Sequence, residues 1–214
     1  SNFFIILAAG ESKRFNSYIP KPYIVYKGKP IIQHSIDKAQ KCKKIDKIIL
    51  VINKKHKSFV KYLNIKNCKI VYGGKTRAES SYRAMRSIEN KKVKNVFIHD
   101  AARPDFSIEL LNKLITELKN NKSVVPAIRP IDTVKFKNRN LIINIDRDYV
   151  YLTQTPQAFD FEALYKLQSN KSSKITDDAN LFIGANKKVK IISGESKNKK
   201  ITKIIDIRNN HQIK

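Results

Sequence analysis

Acidic residues are scarce in this chain. Its 214 residues carry 18 Asp and Glu against 44 Lys and Arg, a formal net charge of +26. Such an excess fits a nucleic-acid surface or a compositional bias. The bases divide into 35 Lys and 9 Arg, and Ile, Lys and Asn together fill about 40% of the chain, well above ordinary usage. Base-edge reading favours Arg in a localised patch, whereas Lys here is spread through every segment. The charge therefore reads as bias rather than as a specific nucleic-acid partner, but it attracts phosphorylated metabolites all the same.

Cysteine is equally sparse. Cys42 and Cys68 form neither a disulfide framework nor a metal set, which predicts reduced thiols in a cytoplasmic protein. His34, His56, His99 and His211 lack metal-ligand spacing, so no protein-held metal site is expected. No apolar run approaches the ~20 residues of a membrane helix. The run Phe3–Leu7 has no basic region before it, and Glu11 to Arg14 follows at once. It reads as a first strand rather than a signal peptide.

What is present is an alternation. β-branched-rich apolar runs at Phe3–Leu7, Lys47–Ile52, Lys69–Tyr72, Asn95–His99 and Ser123–Ala127 predict strands covered on both faces. Amphipathic stretches at Ile31–Lys41, His56–Leu63, Arg77–Ile88 and Ile108–Asn120 predict helices between them. This order argues for one α/β domain over residues 1–214, with a mostly parallel twisted sheet and helices on both faces. Asp132–Phe136 and Leu141–Ile145 break the rhythm and predict a protruding β-hairpin arm within residues 130–148. The chain then returns with a strand Tyr149–Thr153, a helix Phe161–Gln168, a short helix from Asp177 and a strand Val189–Ser193.

The first strand runs into Leu7-Ala8-Ala9-Gly10-Glu11-Ser12-Lys13-Arg14, with Pro20-Lys21-Pro22 soon after. Small residues let a backbone approach a ligand, and backbone N–H groups in such loops bind phosphate. Two cations in the same loop would neutralise a polyphosphate. The pattern is neither a Rossmann fingerprint nor a Walker loop.

These residues carry a resemblance. Leu-Ala-Ala-Gly, Arg14 and Pro20-Lys21 are the signature of nucleotidyltransferases that activate sugar and polyol phosphates. Gly73-Gly74-Lys75-Thr76-Arg77-Ala78-Glu79-Ser80, His99-Asp100-Ala101-Ala102-Arg103-Pro104 and Asp132-Thr133-Val134-Lys135 narrow it. Thr153-Gln154-Thr155-Pro156-Gln157-Ala158-Phe159, Thr176-Asp177-Asp178-Ala179 and Asn198-Lys199-Lys200-Ile201-Thr202 follow in order. From Phe3 to Thr202 the chain resembles the 2-C-methyl-D-erythritol 4-phosphate cytidylyltransferase family. The resemblance implies a Rossmann-like nucleotidyltransferase fold and CMP transfer from CTP to a polyol phosphate. It implies Arg14, Lys21 and Lys200 as catalytic cations, with Mg2+ held mainly by CTP phosphates. It places Ala8, Ala9, Gly10, Gly74, Lys75, Ser80, Asp100 and Ala101 around the nucleotide. Asp100, Arg103, Thr133, Arg147 and Thr176 fall around the polyol phosphate. It also implies a homodimer with composite active sites, the arm crossing between subunits.

Three positions depart from the family pattern: Ser12 for a second glycine, Pro22 for Gln and Lys75 for an acidic residue. The basic segment Lys203 to Lys214 departs as well. It leaves open a truncated member or the N-terminal part of a longer bifunctional chain. Two alternative readings stand beside the first. One is a relative acting on ribitol 5-phosphate; the other is a basic nucleic-acid-binding module on an inactive fold.

Overall fold

A computed structural model describes residues 1–11, 17–89, 91–169 and 177–208. Its centre is an eight-stranded mixed sheet. The strands are β1 (Asn2–Ala8), β4 (Lys47–Ile52), β5 (Cys68–Tyr72), β6 (Asn95–Asp100), β7 (Ser123–Ile128), β10 (Leu152–Thr153), β11 (Gln157–Asp160) and β12 (Lys190–Ser193). β1 lies parallel between β4 and β6, and β5 extends the sheet beyond β4. β11 runs antiparallel between β6 and β7, and β12 pairs parallel with β7. Six of the eight strands thus share one direction, and β10 and β11 oppose it.

Alternation along each strand explains why both faces are covered. Phe4, Ile6 and Ala8 of β1 pack on one face, Phe3 and Ile5 on the other. The first face meets α1 (Ile31–Lys41) through Ile32, Ile36 and Ala39, and α3 (Ile108–Glu117) through Leu110, Leu111 and Leu114. The second meets α2 (Arg77–Arg86), α4 (Phe161–Ser169) and α5 (Ala179–Gly184) through Ala84, Met85, Leu164, Leu181 and Phe182. Burying a side chain of this size contributes roughly 1.5–3 kcal/mol, so the two layers fix the strand ends from which the loops spring.

Small ribbons complete the fold. β2 (Val25–Tyr26) and β3 (Lys29–Pro30) pair across Lys27 and Gly28. Both turn residues have positive φ, 47° and 82°, which is why glycine suits the second. β8 (Val134–Asn138) and β9 (Leu141–Ile145) pair only with each other, around a turn at Arg139 and Asn140. This is the expected hairpin, with its first strand two residues later than predicted. A last short helix, α6 (Ile205–Arg208), packs Ile207 with Ile201 against Tyr26 and Ile31.

Three elements differ from expectation. His56–Leu63 is not an α-helix: Lys54–Tyr62 forms a 3-10 helix capped by the Asn53 side chain. It buries only Val60, so no apolar stripe holds an α-helical spacing there. The strand predicted over Tyr149–Thr153 shrinks to Leu152–Thr153, because the Asp146 carboxylate caps a 3-10 turn over Arg147–Tyr149. β11 has no sequence signal: it is four residues long, follows a cis Thr155–Pro156 peptide and opens on Gln157.

Candidate active site

Parallel β1, β4, β5 and β6 end at one edge of the sheet, and ligands of open α/β sheets bind outside such carboxyl ends. A cleft of about 980 Å³ lies there. Ala8, Ala9 and Gly10 line it after β1, Asn53 to Lys55 after β4, Gly73 to Arg77 after β5 and Asp100 to Ala102 after β6. Lys21 lines it from the loop after β1, and Lys200 and Thr202 reach it from the far end of the chain.

The wall after β5 is braced by its own side chains. Thr76 caps α2, accepting from the Glu79 N–H at 3.1 Å. The Glu79 carboxylate accepts the Lys75 N–H at 2.7 Å and pairs with Arg83 at 2.8 Å. Arg83 donates back to the Gly73 carbonyl at 2.9 Å, and the Gly74 N–H donates to Ser80 Oγ at 3.0 Å. The Lys75 N–H holds Glu79 below the usual carboxylate range, with Arg83 adding to the effect. Gly73 cannot be replaced without movement, since a Cβ there would stand 2.3 Å from the Ala9 Cβ. The two small-residue loops therefore touch. At Gly10 an added Cβ meets nothing within 4 Å among the described residues.

Asp100 sits at the end of β6 between two cations. Arg77 Nε donates to its Oδ1 at 3.0 Å and Lys200 Nζ to its Oδ2 at 2.7 Å. Burial alone would raise its pKa, but Arg77 and then Lys200 outweigh that and hold the carboxyl well below the ordinary range. Arg77 also donates from Nη1 to Asp178 at 2.7 Å. Burial would lower the pKa of this guanidinium; Asp178 and Asp100 raise it instead, so it stays charged. Lys21 Nζ donates to the Ile201 carbonyl at 3.1 Å, and the Ile201 N–H donates to the Ala102 carbonyl at 2.8 Å. The segment 198–202 thus straps across the mouth of β6 and carries Lys200 with it.

His99 lies fully buried below this strap. Its Nδ1 is 3.1 Å from Thr155 Oγ1, which already accepts the Asp100 N–H at 3.0 Å. The Arg103 carbonyl near Nε2 can only accept, so Nδ1 is the unprotonated nitrogen and the Thr155 hydroxyl donates to it. The imidazole proton then sits on Nε2, facing the Arg103 carbonyl and Ser35 Oγ, both at 3.1 Å. Burial pushes this imidazole down to about 3, so it is a neutral support and not an acid or base at pH 7.

Of the residues predicted from sequence, the cleft brings together Ala8, Ala9, Gly10, Lys21, Gly74, Lys75, Ser80, Asp100, Ala101 and Lys200. Arg14 and Thr176 lie outside the described residues. Arg103 is turned toward main chain, donating to the carbonyls of Asn198 at 2.8 Å and Thr153 at 3.4 Å. Thr133 and Arg147 are exposed beside the hairpin and do not line this cleft. Arg147 donates to the Ile131 carbonyl. Sequence reasoning passed over Arg77, Asp178, Glu79 and Arg83, whose partners lie in other turns and elements. The Thr76-x-x-Glu79 spacing and the i,i+4 spacing of Glu79 and Arg83 are the local signals for the brace. Among the described residues no group of three His, Cys, Asp or Glu could hold a metal ion, and no helix is long and apolar enough to cross a membrane.

Known proteins similar to this chain include cytidylyltransferases and bifunctional enzymes. The sequence profile for 2-C-methyl-D-erythritol 4-phosphate cytidylyltransferase matches residues 3–213. The "Bifunctional enzyme IspD/IspF" of Pelagibacter ubique is 61% identical over 99% of this chain, which spans 57% of that relative's length. The cytidylyltransferase of Clostridium beijerinckii is 36% identical over 92% of this chain and 91% of its own. Among solved structures, 4-diphosphocytidyl-2C-methyl-D-erythritol synthase from Anaerococcus prevotii superposes with a TM-score of 0.85 at 35% identity, covering 97% of this chain and 93% of its own. The bifunctional protein of Campylobacter jejuni superposes at 0.83 and 27% identity, over 97% of this chain and 53% of its own. Fold and sequence agree: the chain belongs to the 2-C-methyl-D-erythritol 4-phosphate cytidylyltransferase family, a family of nucleotidyltransferases.

Proposed function

We propose that this chain transfers CMP from CTP to 2-C-methyl-D-erythritol 4-phosphate, releasing pyrophosphate and giving 4-diphosphocytidyl-2-C-methyl-D-erythritol. The observation that carries the reading is a single cleft. It joins two touching small-residue loops, at Ala8–Gly10 and Gly73–Gly74, to the cations Lys21 and Lys200. A phosphate oxygen of the polyol phosphate attacks the α-phosphorus of CTP. A new O–P bond forms as the bond to the β-phosphate bridge breaks, and the electron pair leaves with pyrophosphate. A phosphomonoester with a second pKa near ~6 is largely a dianion at neutral pH, so no general base is needed. The work is positioning and charge stabilisation between polyanions. Lys21, Lys200 and Arg14 are the cations assigned to it. Mg2+ enters with CTP on its phosphate oxygens, as part of the substrate.

Ala8, Ala9, Gly10, Gly74, Lys75, Ser80 and Ala101 surround the nucleotide in this reading, and Asp100 stands between ribose and polyol. Arg103, Thr133, Arg147 and Thr176 serve the polyol phosphate. Thr133 and Arg147 reach it in a homodimer, from the arm of the second subunit. Three features support the dimer. Val134, Phe136, Leu141, Ile143 and Ile145 face each other in the hairpin register on one side. Phe136 and Leu141 remain 51% and 58% exposed, an apolar face that two copies would cover by the same contacts twice. Neither Thr133 nor Arg147 lines the cleft of its own chain. The likeness to a bifunctional relative supports the reading that the chain is the N-terminal part of a longer protein.

The test is pyrophosphate release, crossing four nucleoside triphosphates with methylerythritol and ribitol phosphates. CTP with methylerythritol phosphate is the expected best pair. Faster turnover with ribitol 5-phosphate would move the assignment to that substrate, and equal use of UTP would remove the argument for a cytosine slot.

A further inference from the structure

Arg77 is the first residue of α2, directly after the loop assigned to the nucleotide. Its guanidinium forks between two carboxylates carried by two other segments. Nε donates to Asp100 Oδ1 at the end of β6, and Nη1 to Asp178 Oδ2 just before α5. Asp178 is almost wholly buried, with its side chain 2% exposed. Its other oxygen accepts from Ser81 Oγ at 2.7 Å and Gln168 Nε2 at 3.0 Å. Among the described residues, Arg77 Nη2 is buried without a hydrogen-bond partner. Arg77 and Lys200 supply two positive charges, Asp100 and Asp178 two negative ones. The charges balance, and Oδ2 of Asp100 stays turned to Lys200 in the cleft.

We propose that Arg77 and Asp178 are positioning residues that aim the Asp100 carboxylate, and that Arg77 links the nucleotide loop to the polyol side of the cleft. The proposal rests on the reading that places Asp100 beside the polyol. The fork needs a guanidinium, because one ammonium cannot offer two donors in fixed directions to two carboxylates. Asp178 holds the outer prong. Without its charge Arg77 is free to turn wholly onto Asp100 and draw it toward α2. Among the described residues, Lys200 from the strap and Arg103 from the following loop are the other cations acting on the Asp100 carboxylate; His99 precedes it in β6, and Thr155 Oγ1 accepts its main-chain N–H.

Two measurements test this. In Asp178→Asn the KM for the polyol phosphate should rise about tenfold or more, with CTP affinity by calorimetry within about twofold, a split that separates aiming from general binding. Equal weakening of both substrates, or a lowered melting temperature with both constants unchanged, would overturn the link. The second readout needs no catalysis. Carboxyl 13C NMR follows the titration of Asp100, which in Arg77→Met should move up by about one pH unit or more as the neighbouring charge goes. An unmoved titration in a folded variant would overturn the aiming role. If Arg77→Met does not fold, Asp178→Asn decides through the KM split. If the wild type releases no pyrophosphate with the expected pair, the reaction assignment falls while the NMR arm still judges the positioning claim.

Discussion

The wall after β5 and the hairpin arm are both short polar-and-apolar excursions from the same sheet, yet they are held in opposite ways. In the wall, Thr76, Glu79, Arg83 and Ser80 satisfy the loop's own N–H and C=O groups, and Gly73 packs against Ala9. The arm pairs only with itself and leaves Phe136, Leu141, Ile142 and Ile143 between 42% and 63% exposed. A two-stranded ribbon is marginal alone in water. The contrast teaches that the wall is preorganised by contacts within its own chain, whereas the arm keeps an apolar face that its own chain does not cover.

The largest expected effect tests the braced side. Lys21→Ala should lower kcat about 100-fold or more, because it removes a cation aimed at charge in the transition state. Arg14→Ala should do the same. Turnover near that of the wild type in either would remove the residue from the machinery.

The next test addresses the arm. Inactive Lys21→Ala and Arg147→Ala subunits, mixed under exchange, should regain activity, since half of the heterodimer's composite sites carry both residues. No recovery would place each site within one chain. A monomer by sedimentation at micromolar concentration would defeat the dimer itself.

A smaller effect sharpens the comparison within the wall. Glu79→Gln should keep the Lys75 N–H partner but lose the ion pair to Arg83. We expect the KM for CTP to rise about fivefold with kcat nearly unchanged, as when only ground-state binding is trimmed. A collapse of kcat instead would mean that the loop also orders the reacting phosphates.

The smallest effect lies outside both regions, at the buried His99 of β6. Its ordinary pKa of about 6.5 falls to about 3 in the folded protein through burial. As pH drops below about 6.5, the unfolded chain takes up a proton that the folded chain refuses, so stability falls toward pH 3. Melting temperature should decline over that window, and His99→Gln should flatten part of the decline. An identical slope in the variant would show that other groups govern it.

How legible was this in the sequence? The boundaries of Lys47–Ile52 and Ile31–Lys41 coincide with the predicted ones, because strands covered on both faces and a strongly amphipathic helix write their period plainly. β11 was illegible, since four residues opening on a buried Gln157 carry no period. The small-residue loops and Lys21 could be read locally as a phosphate cradle. Arg77 and Asp178 could not: they lie 101 positions apart in the chain, and a charge pair of that separation leaves no pattern until the fold closes it. The tether of Arg103 to the Asn198 carbonyl is hidden for the same reason.

The strap has a consequence for how the protein is made. Lys200 and the carbonyl of Ile201, which holds Lys21, belong to the last stretch of the described chain. Among the described residues, every other wall of the cleft comes from the first 102 residues. Synthesis runs from the N-terminus, and earlier parts fold as they emerge. A nascent chain of 190 residues therefore carries the loops of the cleft but lacks Lys200 and the acceptor that fixes Lys21. Until the segment 198–202 has emerged and docked, the cleft stays unfinished, whatever else of it has already folded.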